Sequence, residues 1–294
     1  MKRISVIFAA LLVSCGSSDV KWDATGVFEA TEIVVSAEGN GALNEFVVTE
    51  GAQLSQGALV GVIDTVQLAI AREQLIANRS GVLSRTADVQ EQIASINEQI
   101  RWQESERARF TKLLREGAAT QKQVDDLTNQ IAVLRKQLTA SGSTLKKGNS
   151  SISDEGRSIE LRIAQIDDQI RRCYVHSPIS GTVLAKYAEQ HEFTATGKPL
   201  FSIADMEHVY LRAYVTASLL SKVKLGQKVK VYSDFGAKES REYEGIVEWI
   251  SDKAEFTPKM IQTRDERANT VYAVKIGVKN DGLLKIGMYG QLVL

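Results

Sequence analysis

The chain has 294 residues, and its 36 basic side chains are balanced by 36 acidic ones. A protein that binds nucleic acid usually carries a basic surplus, so the zero net charge argues against that class. The length corresponds to about two ordinary domains. Aromatic residues make up only 6% of the chain, which is typical of long coiled coils.

The N-terminus has the pattern of a secretory signal, with a basic start at Met1–Arg3 and an apolar run from Ile4 to Val13. The order Leu12-Val13-Ser14-Cys15 resembles the lipobox of bacterial lipoproteins, in which the cysteine is acylated and becomes the new N-terminus after cleavage. We therefore predict a signal peptide over residues 1–15 and lipidation of Cys15. The alternative is an ordinary signal peptide with an incidental cysteine.

Residues 22–64 are predicted to form short β-strands separated by turns. The turns contain glycine, which favours the backbone conformations that tight turns need. The strand-like runs are Val27–Thr31, Ile33–Ser36, Ala42–Val48 and Leu59–Asp64.

From Val66 to Cys173 the chain is predicted to form two long helices that fold back on each other. A sustained heptad row gives each helix one apolar stripe, which needs a partner helix. Gly117 and Thr120 suit a helix end and the next helix start, so the turn is predicted near 116–120. Because no proline precedes Pro178, we expect unbroken arms of about fifty residues and a rod roughly 75 Å long. The heptad row of the second helix is Val124, Ile131, Leu138, Leu145, Ile152, Ile159, Ile166 and Cys173.

The sequence pattern of the β region before the rod is repeated after it. Gly41-Ala42-Leu43 corresponds to Gly181-Thr182-Val183, and Gly57–Asp64 corresponds to Gly197–Asp205. Since 181 minus 41 and 197 minus 57 are both 140, the two halves match in length. We predict that they form one small β-sandwich around the inserted rod.

From His208 to Leu294 the chain is again rich in strand patterns, with a short helix at Ala217–Lys224. Evenly spaced short strands with glycine turns favour a small barrel. The strand patterns are Val209–Val215, Lys228–Tyr232, Glu244–Ile250, Tyr272–Val278 and Gly287–Leu294.

Two β halves split by a coiled-coil hairpin resemble the biotinyl/lipoyl-like module of haemolysin-D-type (HlyD family) membrane fusion proteins, the periplasmic adaptor subunits of bacterial efflux and secretion pumps. Arg172–Val183 is similar to the family's return into the second half. Glu255–Lys259 and Thr263–Arg267 resemble its β-barrel domain, and Gly282–Gly290 resembles its last hairpin. The resemblance implies an elongated multi-domain α+β protein with a β-barrel domain, a split lipoyl-like β-sandwich and a long antiparallel α-helical coiled-coil hairpin.

The domain layout that follows has six parts. Longer family members continue into a membrane-proximal domain, which we expect to be absent or minimal because the chain stops at Leu294. The parts are the signal peptide (1–15), an N-terminal linker and strand (16–30), lipoyl-like half 1 (31–65), the hairpin (66–173), lipoyl-like half 2 (174–206) and the barrel (207–294).

The tip of the rod also resembles the family. Adaptors that dock onto TolC-type outer-membrane channels share an arginine, a leucine four residues later and a serine seven after that. Arg109, Leu113 and Thr120 have this spacing, with threonine in place of serine. The resemblance implies that these residues contact the channel; alternatively, Leu113 packs inside the hairpin and Arg109 only solubilises it.

The sequence carries no pattern of catalysis. It has no His-Glu-x-x-His, no Gly-x-Ser-x-Gly and no phosphate loop. Cys173 and His176 are too few ligands for a structural zinc site. We expect no enzymatic activity, no metal and no cofactor. A lipoyl-type carrier subunit is a third possibility, although no lysine flanked by methionines stands between the β halves.

The resemblance implies a periplasmic adaptor that links an inner-membrane transporter, of ABC type rather than RND type, to a TolC-like outer-membrane channel for efflux or secretion of small molecules. It would be lipid-anchored, at the inner membrane rather than the outer, and would form a ring-shaped homo-oligomer, with six copies as the family expectation. The alternative from another class is a structural coiled-coil envelope lipoprotein without a transport role.

Overall fold

The computed structural model describes residues 22–235, 240–255 and 270–294. The predicted signal peptide and Cys15 lie outside these residues. So do nearly all of the two segments that resemble the family's barrel, Glu255–Lys259 and Thr263–Arg267. The described residues form a closed six-stranded barrel, a sandwich of two four-stranded sheets and a long helical hairpin. The predicted fold class is therefore confirmed.

The hairpin consists of three helices: α1 (Val66–Leu83), α2 (Val89–Arg115) and α3 (Gln121–Arg172). Both α1 and α2 pack against α3, which runs antiparallel to them. The predicted heptad row of α3 faces this seam, since Ile131 and Ile159 are buried there. Because α3 has 52 residues, the rod is roughly 78 Å long at 1.5 Å per residue.

The prediction that both arms are unbroken is wrong, because the first arm is interrupted at residues 84–88. Asp88 ends the interruption by capping α2, and its carboxylate accepts hydrogen bonds from the backbone N–H groups of Gln90 (2.8 Å) and Glu91 (3.2 Å). An N-cap aspartate satisfies amide groups that have no partner inside the helix. A helix can therefore restart without any proline or glycine inside the interruption.

Side chains of α3 hold the interruption in place. The Asn149 amide nitrogen donates to the Ala87 carbonyl (2.8 Å), and the Asn149 oxygen accepts from the Ala87 N–H (3.0 Å). Two turns further along α3, Leu83 packs so closely on Gly156 that a Cβ there would lie 2.8 Å from Leu83 Cδ2. The backbone of the interruption is thus bound to the continuous arm.

The sandwich is built from two interlocked halves. One sheet has the order β2-β9-β7-β4 and the other has the order β6-β5-β3-β8, so each sheet contains strands from both halves. Leu43, Ile63 and Leu200 are fully buried between the sheets. The strands are β2 (Glu32–Ser36), β3 (Gly41–Phe46), β4 (Gln53–Leu54), β5 (Leu59–Ile63), β6 (Tyr174–His176), β7 (Gly181–Lys186), β8 (Phe193–Thr194) and β9 (Pro199–Ala204).

The barrel closes in the order β1-β10-β13-β12-β11-β14 around a core that includes Phe28, Leu211, Ile276 and Leu292. Its first strand comes from the range predicted as N-terminal linker and strand, so the barrel is not confined to 207–294. The elements are β1 (Ala24–Glu29), β10 (His208–Thr216), α4 (Ala217–Leu220), β11 (Lys228–Asp234), β12 (Ser240–Glu255), β13 (Val271–Lys279) and β14 (Tyr289–Val293).

The two ends of the barrel have different neighbours. The end of β1 and the start of β10 connect directly to β2 and β9, so the sandwich and the hairpin lie beyond that end. The start of β1, the end of β14 and the start of β11 lie together at the opposite end. That distal end is also where β1 begins, two residues after Trp22, the first residue that the structure describes.

Candidate functional site

The free end of the hairpin is a tightly hydrogen-bonded turn. The N–H of Ala118 donates to the carbonyl of Leu113 (2.8 Å), and the N–H of Gly117 donates to that of Leu114 (3.1 Å). This pair of bonds is the Schellman motif, which requires a left-handed residue, and Gly117 has a φ of 77°. The glycine predicted to end the first arm therefore does so.

The second arm starts at Thr120, as predicted, in a conformation fixed by Gln123. The Thr120 N–H donates to Gln123 Oε1 (2.8 Å), and the Thr120 hydroxyl donates to the same oxygen (3.1 Å). The threonine side chain is exposed to solvent. The Thr120 hydroxyl is thus engaged with Gln123 in a capping box.

Arg109 and Leu113 are four residues apart and lie on the same face of α2, close to the turn. The Arg109 side chain is 64% exposed, and Nη2 lies 3.0 Å from Glu106 Oε2. Its guanidinium also lies over the ring of Phe110, 5.4 Å from the centroid. Leu113 is half-buried, so part of its side chain contacts the hairpin and part faces solvent.

The structure therefore places the three predicted residues at one end of the rod and gives both polar ones an internal partner. Those partners, Glu106 and Gln123, were not predicted. A threonine followed three residues later by a glutamine is a capping-box signature, and a glutamate three residues before an arginine suits a helical ion pair. Both signals were present in the sequence.

No protein-family model matches this sequence. The UPF0194 membrane protein of Yersinia enterocolitica is 22% identical over 314 aligned positions, which cover 97% of this chain and 95% of that protein. The solved structure of MacA from Actinobacillus actinomycetemcomitans superposes with a TM-score of 0.55 at 18% identity, over 92% of this chain and 76% of that one. The chain has the fold of a haemolysin-D-type membrane fusion protein.

A second solved structure shares this membrane fusion fold. The MacA–MexA chimera that contains the Pseudomonas aeruginosa MexA α-hairpin domain superposes with a TM-score of 0.51 at 20% identity. The alignment covers 92% of this chain and 78% of the chimera. The agreement extends over the barrel, the sandwich and the hairpin together, because it includes nearly all of the chain.

At the base of the hairpin, a cluster of charges connects the rod to the sandwich. Arg172 Nε donates to Asp168 Oδ2 (2.7 Å), and Arg172 Nη1 lies 3.7 Å from Glu38 Oε2, beyond the end of β2. Hydrogen bonds from Arg172 and then Arg171 lower the pKa of the Asp168 carboxyl. The carboxylate therefore stays ionised at neutral pH and orients the arginine toward the sandwich.

Cys173 is a packing residue of the sandwich core. Its side chain is buried, and its thiol donates to the Gln169 carbonyl at 3.3 Å. Burial, and then the negative charge of Asp64, raise the pKa of the thiol. Nδ1 of the nearby His176 contacts the Tyr174 carbonyl at 3.0 Å. In the described ranges, no group of three or more His, Cys, Asp or Glu side chains is placed to hold a metal ion.

None of the described helices is both long and apolar enough to cross a membrane.

Proposed function

We propose that this chain is the periplasmic adaptor of a tripartite pump that exports or secretes small molecules. The observation that supports it best is the combination of an interlocked sandwich with a rod of 52 helical residues in α3 and a rigid tip that carries Arg109, Leu113 and Thr120. In this proposal the protein is a non-enzymatic connector between an inner-membrane transporter and a TolC-like outer-membrane channel. The ABC class of transporter follows from the sequence resemblance.

Acylation of Cys15 would anchor the adaptor to the inner membrane from the periplasmic side. More than one acyl chain is needed for a stable anchor, because a single chain binds only marginally. Copies of the chain would pack side by side through their sandwich and barrel domains into a closed ring, with six copies as the family expectation. The rods would then point together toward the outer membrane.

The geometry of the tip suggests how the contact with the channel forms. The exposed part of Leu113 enters a groove between channel helices, as apolar anchors do when helices dock. Arg109 exchanges Glu106 for a carboxylate or a backbone carbonyl of the channel. That exchange costs little, because exposed ion pairs contribute about 0–1 kcal/mol. Thr120 presents its exposed hydroxyl group to the channel for a further hydrogen bond.

The test uses a photo-crosslinking amino acid at Ala119, between Gly117 and Thr120, in living cells. We expect adducts with an outer-membrane channel subunit. In the same background, Leu113→Glu should abolish these adducts, because a carboxylate cannot be buried in an apolar groove without a partner. The matched control is Val133→Glu, which adds the same charge at a side chain of α3 that is 63% exposed, away from the tip.

Each outcome separates the adaptor from the alternative of a passive spacer. Loss of the channel adduct in Leu113→Glu, with the adduct intact in Val133→Glu, supports docking through the tip. Adducts only with other copies of this chain or with the cell wall, at normal expression, would refute the adaptor role. Equal loss in both variants would show that added charge, and not the tip, prevents the contact.

A further inference from the structure

A rigid turn at the distal end of the barrel presents an exposed leucine. Residues 222–228, here called the lysine turn, connect α4 to β11. The N–H of Gln227 donates to the carbonyl of Lys224 (3.1 Å), and Gly226 has a φ of 80°. Glycine at the third position with positive φ is typical of a type II turn, which places Leu225 at the second position, at the apex.

Further hydrogen bonds fix this turn to the barrel. The Lys224 N–H donates to Gln227 Oε1 (2.9 Å), the Gly226 N–H donates to the Val247 carbonyl (2.8 Å), and the Val247 N–H donates to the Gln227 carbonyl (3.0 Å). Val223 is buried in the barrel core. Leu225 is nevertheless 70% exposed. The fold thus holds a large apolar side chain in solvent at a fixed position.

All charged side chains of the lysine turn are positive. Lys222, Lys224 and Lys228 are exposed, and none of the three forms an ion pair with any residue that the structure describes. The next lysine, Lys230, is neutralised by Glu242 at 2.8 Å. An apolar apex between unpaired cations suits an anionic lipid surface, where lysines meet headgroups and the apolar side chain reaches the acyl boundary.

The route of the N-terminus places the turn near a membrane. The Trp22 ring lies 5.0 Å from the ring of Tyr232 on β11, the strand that begins at Lys228. Trp22 is only seven positions after Cys15 in the sequence, and seven extended residues span at most roughly 25 Å. An acylated Cys15 therefore holds the distal end of the barrel within about that distance of the lipid.

We infer that the lysine turn is a lipid-contacting element that docks the distal end of the barrel onto an anionic membrane surface, with Leu225 as the inserted side chain. This inference rests on the proposed anchoring at Cys15. It adds a second point of attachment, and two points restrict the tilt of the barrel where one flexible tether does not. The turn would therefore set the direction in which the rod leaves the membrane.

The test uses the full mature chain, purified from membranes and reconstituted into vesicles. A nitroxide at Leu225→Cys reports its surroundings through collisions with oxygen, which concentrates in lipid, and with a nickel chelate, which stays in water. The control label is at Leu161→Cys, 64% exposed on α3. Vesicles of phosphatidylcholine alone are compared with a mixture of phosphatidylcholine and phosphatidylglycerol.

We expect label 225 to become protected from nickel in the phosphatidylglycerol vesicles and label 161 to stay in water. Each lysine near an anionic surface strengthens binding about fivefold, so replacing Lys222, Lys224 and Lys228 by Gln should weaken docking on the order of a hundredfold. Replacing three exposed lysines of α3 by Gln should leave docking unchanged. These controls are Lys136, Lys146 and Lys147.

The other outcomes overturn the inference in distinguishable ways. If the protein floats with both kinds of vesicle but label 225 stays in water, the anchor holds and the lysine turn is not a lipid contact. If label 225 is protected only when a transporter is reconstituted with the chain, the turn binds protein instead. If the chain floats with neither kind of vesicle, both the anchor and the turn fail. Flotation only with phosphatidylglycerol, lost in the lysine variant, supports the turn and refutes the anchor.

Discussion

Replacing Asn149 by alanine should loosen the interruption between α1 and α2. The variant loses two hydrogen bonds to Ala87, each with a net contribution of about 1 kcal/mol. Alanine is also the better helix former by up to about 0.7 kcal/mol, which offsets part of the loss. The net destabilisation is therefore about 1.3 kcal/mol, and it acts on the interruption rather than on the tip.

Hydrogen exchange of the Ala87 amide is the direct measurement. A loss of about 1.4 kcal/mol corresponds to a tenfold change in an equilibrium constant, so exchange at Ala87 should become roughly tenfold faster. The matched control is Asn129→Ala, because Asn129 is an exposed residue of the same helix. That variant gains helix propensity and loses no contact recorded for the described residues, so it should stabilise the hairpin by up to about 0.7 kcal/mol.

The two variants are predicted to shift the stability of the hairpin in opposite directions. If Asn149→Ala stabilised the rod as Asn129→Ala does, with no change in exchange at Ala87, the amide bridge would contribute nothing. The interruption would then be held by packing alone, such as the contact of Leu83 with Gly156. Urea unfolding followed by the helical circular dichroism signal gives the global comparison.

Two further changes test the base of the rod. Gly39→Ala would place a Cβ 2.8 Å from Cys173 Sγ, so it should lower the free energy of unfolding in urea by about 1–3 kcal/mol. In a double-mutant cycle, Cys173→Ala should recover part of that loss. Additive losses in the two variants would contradict the clash. Arg172 and Arg171 lower the pKa of Asp168 in the folded state. The ionised carboxylate therefore stabilises the fold above its unfolded pKa of about 3.9, and this stabilisation is lost as the pH falls through the lower folded pKa. Asp168→Asn should therefore narrow the stability gap to wild type on acidification below about pH 4, and an unchanged gap in urea titrations would refute the coupling.

The sequence was sufficient for the heptads and the β repeat, but not for the interruption in the first arm. Val82 and Val89 are seven residues apart, so the apolar row runs straight across a segment that is not helical. Asp88 followed by Glu91 is an N-terminal helix signal that contradicts an unbroken arm. Periodicity reports which residues face the partner helix, and it does not report whether the backbone between them is hydrogen-bonded.

The strands that pair with β1 could not be predicted from the local sequence pattern either. Its partners are β10 and β14, and Ala24 lies opposite Leu292. A strand pattern is local, whereas the choice of partner depends on the fold of everything in between. At the tip, the internal partners of Arg109 and Thr120 were missed, although the spacings to Glu106 and Gln123 are sequence signals for an ion pair and a capping box.

The interlocking of the two sandwich halves has a consequence for how the newly made chain folds. β2 pairs with β9, so early strands leave their edges open until late segments arrive, and open edges invite pairing with other chains. The hairpin, by contrast, needs only two neighbouring arms. Once formed, it brings Ile63 and Cys173 to within a 2.9 Å hydrogen bond although 110 residues separate them. The rod thus performs the long loop closure for the sandwich, and damage to its helices should reduce the yield of folded protein before it affects any contact at the tip.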